Sequence, residues 1–98
     1  MSKDSFGDYI RKAREAKDLP LRKVAAFLDI DTSTLSKIER GDRAASPDYL
    51  KGIAAILQLD LKAVQTKFIA DKIEKDFGGM EHLSDGLKEV EKHIKRNK

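Results

Sequence analysis

Residues 30–41 form the segment of this chain whose side chains are best suited to binding another molecule. The segment reads IDTSTLSKIERG. One edge of it carries small hydroxyl groups and a single amine: Thr32, Ser33, Ser36 and Lys37. Hydroxyls donate and accept hydrogen bonds, and the threonine methyl group can meet a thymine methyl. Such groups suit the base edges of duplex DNA, so we predict that this segment is a DNA recognition helix.

A helix fits this segment because its apolar residues and end signals have helical spacing. Leu35 and Ile38 are three residues apart and therefore share one face, which we expect to point inward. Asp31 is predicted to cap the helix by accepting a hydrogen bond from an early backbone N–H. Gly41 is predicted to end it in a left-handed conformation, which glycine adopts at the least cost.

The other residues that could take part in catalysis or bind a metal do not form a catalytic or metal-binding pattern. His82 and His93 are the only histidines, and there is no cysteine. Glu81, Asp85 and Glu89 recur at every fourth position, which is more typical of a solvated acidic helix face than of a metal site. The sequence has no glycine-rich phosphate loop. We therefore expect no enzyme activity, no metal, no cofactor and no small-molecule effector.

Length and composition indicate one small helical domain with an appendage. The chain has 98 residues, of which 40% are hydrophobic and 38% are charged. Its longest apolar runs, residues 24–28 and 53–57, fall far short of the about 20 residues that span a bilayer, and no secretory signal is evident. Without cysteine, we expect a cytoplasmic protein. The net charge of +3 is spread evenly, so charge alone supports nucleic-acid binding only weakly.

Three further helices are predicted around this segment. The first spans residues 5–17, the second begins near Pro20, and the fourth spans residues 47–58 with Ser46 as its cap. Asp29, after the second helix, is predicted to be left-handed, which aspartate tolerates better than most residues. Apolar residues recur at helical spacing along these helices and predict a shared core: Phe6, Ile10, Ala13, Val24, Ala25, Leu28, Leu50, Ile53, Ala54 and Leu57.

The stretch from Phe6 to about Leu61 resembles the Cro/C1-type (XRE, phage-repressor-like) helix-turn-helix family. The motifs that carry the resemblance are IRKARE at residues 10–15, LPLRKVAAFL at residues 19–28 and IDTSTLSKIERG at residues 30–41. The LSKIERG run is the most specific of them. The resemblance implies an all-α protein with a lambda-repressor-like head of four to five helices, and a bacterial or phage origin.

The resemblance also implies a role for each matching side chain near the recognition helix. Thr32 and Ser33 match positions that reach base edges, while Ser36 and Lys37, one turn further on, are similar to other groove-facing positions. All four are therefore candidate base contacts.

Other matching positions concern the backbone of the DNA and the stability of the head. Arg14 and Glu39 match a pair that forms a partly buried salt bridge in relatives. Leu21 stands where relatives often have a DNA-contacting glutamine, and Asp29 where they usually have glycine. The expected phosphate contacts are Arg22, Lys23, Thr34, Arg40 and Arg43.

Residues 61–98 are predicted to form a helical hairpin that pairs with a second copy of the chain. One helix is expected over residues 60–77, ending at two glycines, and another from Met80 or Ser84 to Arg96. Their apolar stripe consists of Ile69, Ile73, Phe77, Met80, Leu83, Leu87, Val90 and Ile94. The stripe could instead pack on the head or close the hairpin on itself. We favour a homodimer, because helix-turn-helix proteins commonly read two half-sites.

The sequence thus predicts a transcriptional regulator that binds double-stranded DNA sequence-specifically. Residues 1–60 would form the DNA-binding domain, with residues 32–39 in the major groove, and a homodimer would bind a two-fold symmetric operator. A restriction–modification controller would be a special case of this mechanism. Two alternatives stay open: an antitoxin whose tail clasps a toxin, and a protein-interaction adaptor that has kept the fold and lost DNA binding.

Overall fold

The computed structural model describes residues 4–96, which contain helices and no strand. Six α-helices follow one another, and a 3-10 turn, Pro47–Tyr49, precedes the fourth. Their bounds are α1 Phe6–Ala16, α2 Leu21–Leu28, α3 Thr32–Arg40, α4 Leu50–Leu57, α5 Leu61–Phe77 and α6 Leu83–Arg96. The prediction of an all-α fold is confirmed. No helix within residues 4–96 is long and apolar enough to cross a membrane.

Local hydrogen bonds fix where α1 and α5 begin. The Ser5 hydroxyl accepts a hydrogen bond from the Asp8 N–H at 3.1 Å, and the Asp8 carboxylate accepts one from the Ser5 N–H at 3.3 Å. This capping box satisfies two N–H groups at the helix start. The bond from the Ser5 N–H also lowers the pKa of Asp8 below its usual 3.8. At the start of α5, Asp60 accepts a hydrogen bond from the Ala63 N–H at 3.3 Å.

Helices α2 and α3 each end at a residue in the left-handed conformation. Asp29, after α2, has φ of 58°, and Gly41, after α3, has φ of 81°, as the sequence predicts for both. The start of α3 differs from the prediction. Asp31 occupies the N-cap position, but its side chain accepts no hydrogen bond from the helix. The carboxylate is exposed, so water can hydrate both it and the free N–H groups of the first turn.

Helices α1 to α4 and the first half of α5 enclose one core. Its largest fully buried side chains are Ile10, Leu35, Ile53, Leu57 and Val64. Burial of each such side chain contributes about 1.5–3 kcal/mol. The ring of Phe6 on α1 meets that of Phe68 on α5 edge-on, with the centroids 5.4 Å apart. The core of the head therefore continues into α5 as far as Phe68, past residue 60, where the sequence places the domain boundary.

The second half of α5 and all of α6 lie outside this core. No residue of α6 is buried, and α5 and α6 pack against each other only sparsely. An open apolar groove separates them. It is lined by Ile73, Phe77, Met80, Leu83, Leu87 and Val90. Of the predicted stripe, Ile73 and Leu83 are half-buried, and its other six residues are exposed.

Candidate nucleic-acid interface

The turn at residues 29–31 joins α2 to α3 and sets the angle between them. After the left-handed Asp29, the N–H of Ile30 donates back to the carbonyl of Ala25 on α2 at 3.0 Å. The side chain of Ile30 is half-buried and packs against the core. Helices α2 and α3 thereby form a helix-turn-helix, in which α3 is the second helix.

Helix α3 has one buried face and one exposed face. Leu35 is only 1% exposed and Ile38 only 3%, so both belong to the core. The exposed residues include three of the four predicted base contacts, Thr32, Ser33 and Lys37. Their hydroxyl and ammonium groups lie in solvent, which leaves them free to hydrogen-bond to another molecule.

Ser36, the fourth predicted base contact, is half-buried and already accepts a hydrogen bond. Arg40 donates through Nη1 to the Ser36 Oγ at 2.7 Å and through Nε to the Asp42 carboxylate at 3.1 Å. Arg40 is itself a predicted phosphate contact, and these bonds use two of its five N–H donors. The structure thus joins Ser36, Arg40 and Asp42 in one hydrogen-bond network, whereas we predicted independent roles for Ser36 and Arg40.

The other predicted phosphate contacts lie before α3, on α3 and after α3 in the chain. Arg22 and Lys23 are exposed in the first turn of α2. Arg43 is exposed in the loop after α3, and Thr34 is half-buried on α3 itself. Exposed cations thus precede and follow α3 in the chain, and exposed arginine and lysine side chains can bind the phosphate backbone of DNA.

Tyr49 is a candidate functional residue that the sequence reasoning missed. Together with Thr34 and Arg43 it lines a polar recess beside the start of α3. Its side chain packs partly against the core, and a tyrosine hydroxyl can donate a hydrogen bond to a phosphate. Asp29 and Asp31 line the same recess, and their charge opposes an anion there. The signal in the sequence that could have indicated Tyr49 is a tyrosine in the turn that precedes α4.

Arg14 and Glu39 form an ion pair that joins α1 to α3. Nε of Arg14 donates to Oε2 of Glu39 at 2.8 Å, and Nη2 donates to Oε1 at 3.0 Å. Arg14 also donates to the carbonyl of Leu19 at 2.8 Å. The two side chains are only 12% and 6% exposed, and the hydrogen bonds to Glu39 raise the pKa of Arg14. The pair holds α3 from its inner side and does not belong to the exposed edge.

Gly7 lets α1 approach α3 closely, which the sequence reasoning did not foresee. A Cβ atom at this position would overlap the backbone carbonyl oxygens of Ile38 and Glu39. The backbones of the two helices therefore meet where the last turn of α3 passes the start of α1. Only glycine fits this contact without a shift of one helix.

Residues 10–64 match the model of a family described as Helix-turn-helix. The matched segment covers more than half of the chain and includes all of α2, α3 and α4. The chain therefore belongs to this helix-turn-helix family, and the Cro/C1-type resemblance read from the sequence is confirmed.

Curated relatives match more than half of the chain. The uncharacterized HTH-type transcriptional regulator RghRB of Bacillus subtilis (strain 168) is 36% identical over 55 residues, which are 55% of this chain and 40% of the relative. The transcriptional regulator ClgR of Mycobacterium tuberculosis is 36% identical over 62 residues, which are 63% of this chain and 55% of the relative. The chain thus spans about half the length of these relatives. No solved structure matches it significantly.

Proposed function

We propose that the protein is a transcriptional regulator that binds double-stranded DNA sequence-specifically, with α3 in the major groove. The observation that carries this proposal is the exposed polar edge of α3, opposite a buried face, within a helix-turn-helix family member. A major groove about 12 Å wide admits one α-helix. The proposed activity is binding to DNA in the cytoplasm, and it needs no catalytic group or cofactor.

Base readout is assigned to the leading end of α3. Thr32 and Ser33 stand in its first turn, and the N-terminal residues of a recognition helix contact base edges. Lys37, one turn later, would donate to guanine O6 and N7 or to a phosphate. Ser36 would donate its hydroxyl proton while it accepts from Arg40.

Backbone binding is assigned to the polar residues on both sides of α3. Arg22 and Lys23 on α2 would hold one strand, and Arg43 in the loop after α3 would hold the other. Thr34 stands beside Arg43 in the polar recess, and Arg40 has donors left for a phosphate oxygen. Contacts of this kind fix the register of the protein on the duplex and carry no sequence information themselves.

We further propose that two copies pair through the apolar stripe of α5 and α6. A single copy measures 41 × 32 × 22 Å and has one recognition helix, so it would read one half-site. Half-sites in helix-turn-helix operators lie about 34–36 Å apart, which calls for two heads in a fixed relation. The stripe supplies the surface for pairing, since Ile69, Val90 and Ile94 are 53%, 55% and 54% exposed. Exposed apolar surface of this extent is characteristic of an interaction site.

Selection from a random pool of duplex oligonucleotides tests the proposal. We expect enrichment of a two-fold symmetric site. Combined substitution of Thr32, Ser33 and Lys37 by alanine should remove most of the affinity for that site, because each good base contact contributes about 1–3 kcal/mol. Circular dichroism and thermal unfolding should stay unchanged.

The matched control for the loss of charge is Lys62→Ala, on the exposed side of α5 outside the proposed interface. It should bind the selected site like the wild type. A wild-type protein that binds no duplex at low ionic strength would contradict the proposal.

The groove between α5 and α6 also favours a second candidate function, in which the tail binds another protein. An antitoxin or an adaptor would use the same apolar surface. Such a protein would co-purify with a small partner. If the protein is an adaptor that does not bind DNA, the triple alanine variant on α3 would bind the partner protein as the wild type does.

A further inference from the structure

The loop after the recognition helix faces the C-terminal half of α5. A small recess with both polar and apolar lining separates the two segments. Gly41, Asp42 and Arg43 line it on the loop side, and Asp71 and Lys75 are among the residues that line it on the α5 side. The end of α3 therefore faces a part of α5 beyond Phe68, which is the last residue of α5 that packs on the core.

Lys75 on α5 comes close to Gly41, at the end of α3. Its ammonium nitrogen lies 3.8 Å from the position that a Cβ atom of Gly41 would occupy. The same nitrogen lies 3.4 Å from the Asp71 carboxylate, one turn earlier on α5, whose side chain is only 17% exposed. Asp71 thus holds the lysine toward the loop. A cation is favourable there, because the C-terminal end of a helix carries a partial negative charge.

From this point a series of short contacts leads back to the outer face of α3. Asp42, the residue after Gly41, accepts a hydrogen bond from Arg40 at 3.1 Å. Arg40 in turn donates to Ser36 at 2.7 Å. Ser36 is one of the proposed base contacts. The position at which Lys75 approaches the end of α3 is thus two residues removed from the surface assigned to DNA.

We infer that Lys75, oriented by Asp71, is a positioning residue that fixes the end of the recognition helix relative to α5. Because α5 carries the proposed pairing stripe, the attraction between this ammonium group and the C-terminal end of α3 would transmit the geometry of the paired tails to the two α3 helices. It would narrow the range of half-site separations to which a dimer binds. This consequence for DNA rests on the proposed function, whereas the close approach of Lys75 to Gly41 does not.

The substitution that tests the inference is Lys75→Met, which keeps the length of the side chain and removes its charge. Lys62→Met is the matched control, since it makes the same change in the first turn of α5, away from the loop. Lys75→Arg should restore the wild-type behaviour, because it returns a cation that Asp71 can hold.

The first measurement is hydrogen exchange in the free protein. The amides of Gly41 and Asp42 donate to the carbonyls of Ile38 and Lys37 at the end of α3. We expect both to exchange about two- to fivefold faster in Lys75→Met than in Lys62→Met, the size expected for one exposed ionic contact. Equal exchange in the two variants would overturn the inference.

The second measurement compares affinity for the selected operator with affinity for the same operator carrying one extra base pair between its half-sites. We expect the ratio of the affinity for the selected operator to the affinity for the lengthened operator to fall about two- to fivefold in Lys75→Met. In Lys62→Met this ratio should stay at the wild-type value. Faster exchange with an unchanged ratio would also overturn the inference, since the contact would then be local to the loop. If the wild type binds no DNA, the proposed function fails, and hydrogen exchange still decides whether Lys75 holds the loop.

Discussion

The guanidinium of Arg14 and the carboxylate of Glu39 lie side by side although they are 25 positions apart in the chain. Two hydrogen bonds of 2.8 Å and 3.0 Å join them, and both side chains are nearly buried. The pair connects α1 to the inner side of α3. It therefore fixes α3 from its inner side and leaves the exposed edge of that helix free.

We expect Glu39→Gln to lower the free energy of unfolding by about 3–5 kcal/mol, because it leaves the charge of Arg14 buried without its counter-ion. Urea denaturation measures this loss. The control is Asp76→Asn, which breaks the exposed pair with Lys72 and should cost at most about 1 kcal/mol. Similar losses in the two variants would show that the buried pair contributes no more than a surface pair.

Gly7→Ala should destabilise the head, because the added methyl group would overlap the carbonyl oxygens of Ile38 and Glu39. Displacing a backbone in a packed contact costs about 1–3 kcal/mol. Gly86→Ala is the matched control on α6, where a Cβ atom would meet nothing within 4 Å. There alanine should gain up to about 1 kcal/mol of helix stability. Thermal unfolding distinguishes the two, and equal shifts would contradict the close approach of α1 to α3.

Arg43→Gln should weaken DNA binding to a similar extent for every sequence, because a phosphate contact does not read bases. The slope of the logarithm of the binding constant against the logarithm of the salt concentration should become shallower by about 0.9 for each copy bound. Fluorescence anisotropy across a salt series measures the slope. Lys62→Gln removes the same charge on α5 and should leave the slope unchanged. A steep, unaltered slope in Arg43→Gln would exclude that residue from the backbone contacts.

Replacing Leu87 and Val90 by asparagine should convert a dimer into a monomer, because both side chains belong to the exposed apolar stripe of α6. Removal of residues 79–98 should have the same effect, and both changes should weaken operator binding. Sedimentation velocity at micromolar concentration measures the mass. Lys88→Asn with Lys92→Asn is the control on the outer side of α6. A monomeric wild type under these conditions would rule out pairing through the stripe.

Asp8 should make stability depend on pH in the acid range. Its pKa is lowered below 3.8 by the hydrogen bond from the Ser5 N–H, with a further contribution from Arg11 at 3.1 Å. The unfolded chain therefore takes up the proton first as the pH falls. The stabilisation from the carboxylate is complete above the unfolded value and is lost as the pH drops through the folded one.

The wild type should accordingly unfold at a higher temperature than Asp8→Asn at neutral pH. That difference should shrink as the pH falls below 3.8, the usual value for the group. Thermal unfolding followed by circular dichroism over this range measures it. A difference that does not change with pH would mean that the carboxylate charge is not what stabilises the start of α1.

The helices of the head could be predicted from the sequence because their signals are local. Apolar spacing identified the inner residues of α3, Leu35 and Ile38, and the left-handed residues Asp29 and Gly41 follow from the limited number of side chains that tolerate that conformation. Each of these inferences uses neighbours within a few positions. The family resemblance supplied the Arg14–Glu39 partnership, which no local pattern could have indicated.

The remaining features depend on contacts between distant segments. The need for glycine at position 7 arises only where α1 crosses the end of α3, and the approach of Lys75 to Gly41 arises only where α5 passes the loop. Asp31 makes no capping hydrogen bond at the start of α3, although the equally exposed Asp60 caps α5. Residue type and exposure therefore do not explain the difference between these two aspartates. Tertiary packing decided the outcomes at Gly7 and Lys75.

None of the side chains of α6 is buried by the rest of its own chain. The last helix can therefore be exchanged for another pairing segment without rebuilding the head. Chimeras joined near residue 79 would keep the same base preference while changing how two heads are spaced and with which partner they assemble. Sequence preference and assembly would then be separately adjustable, which makes this chain a suitable starting module for engineered regulators.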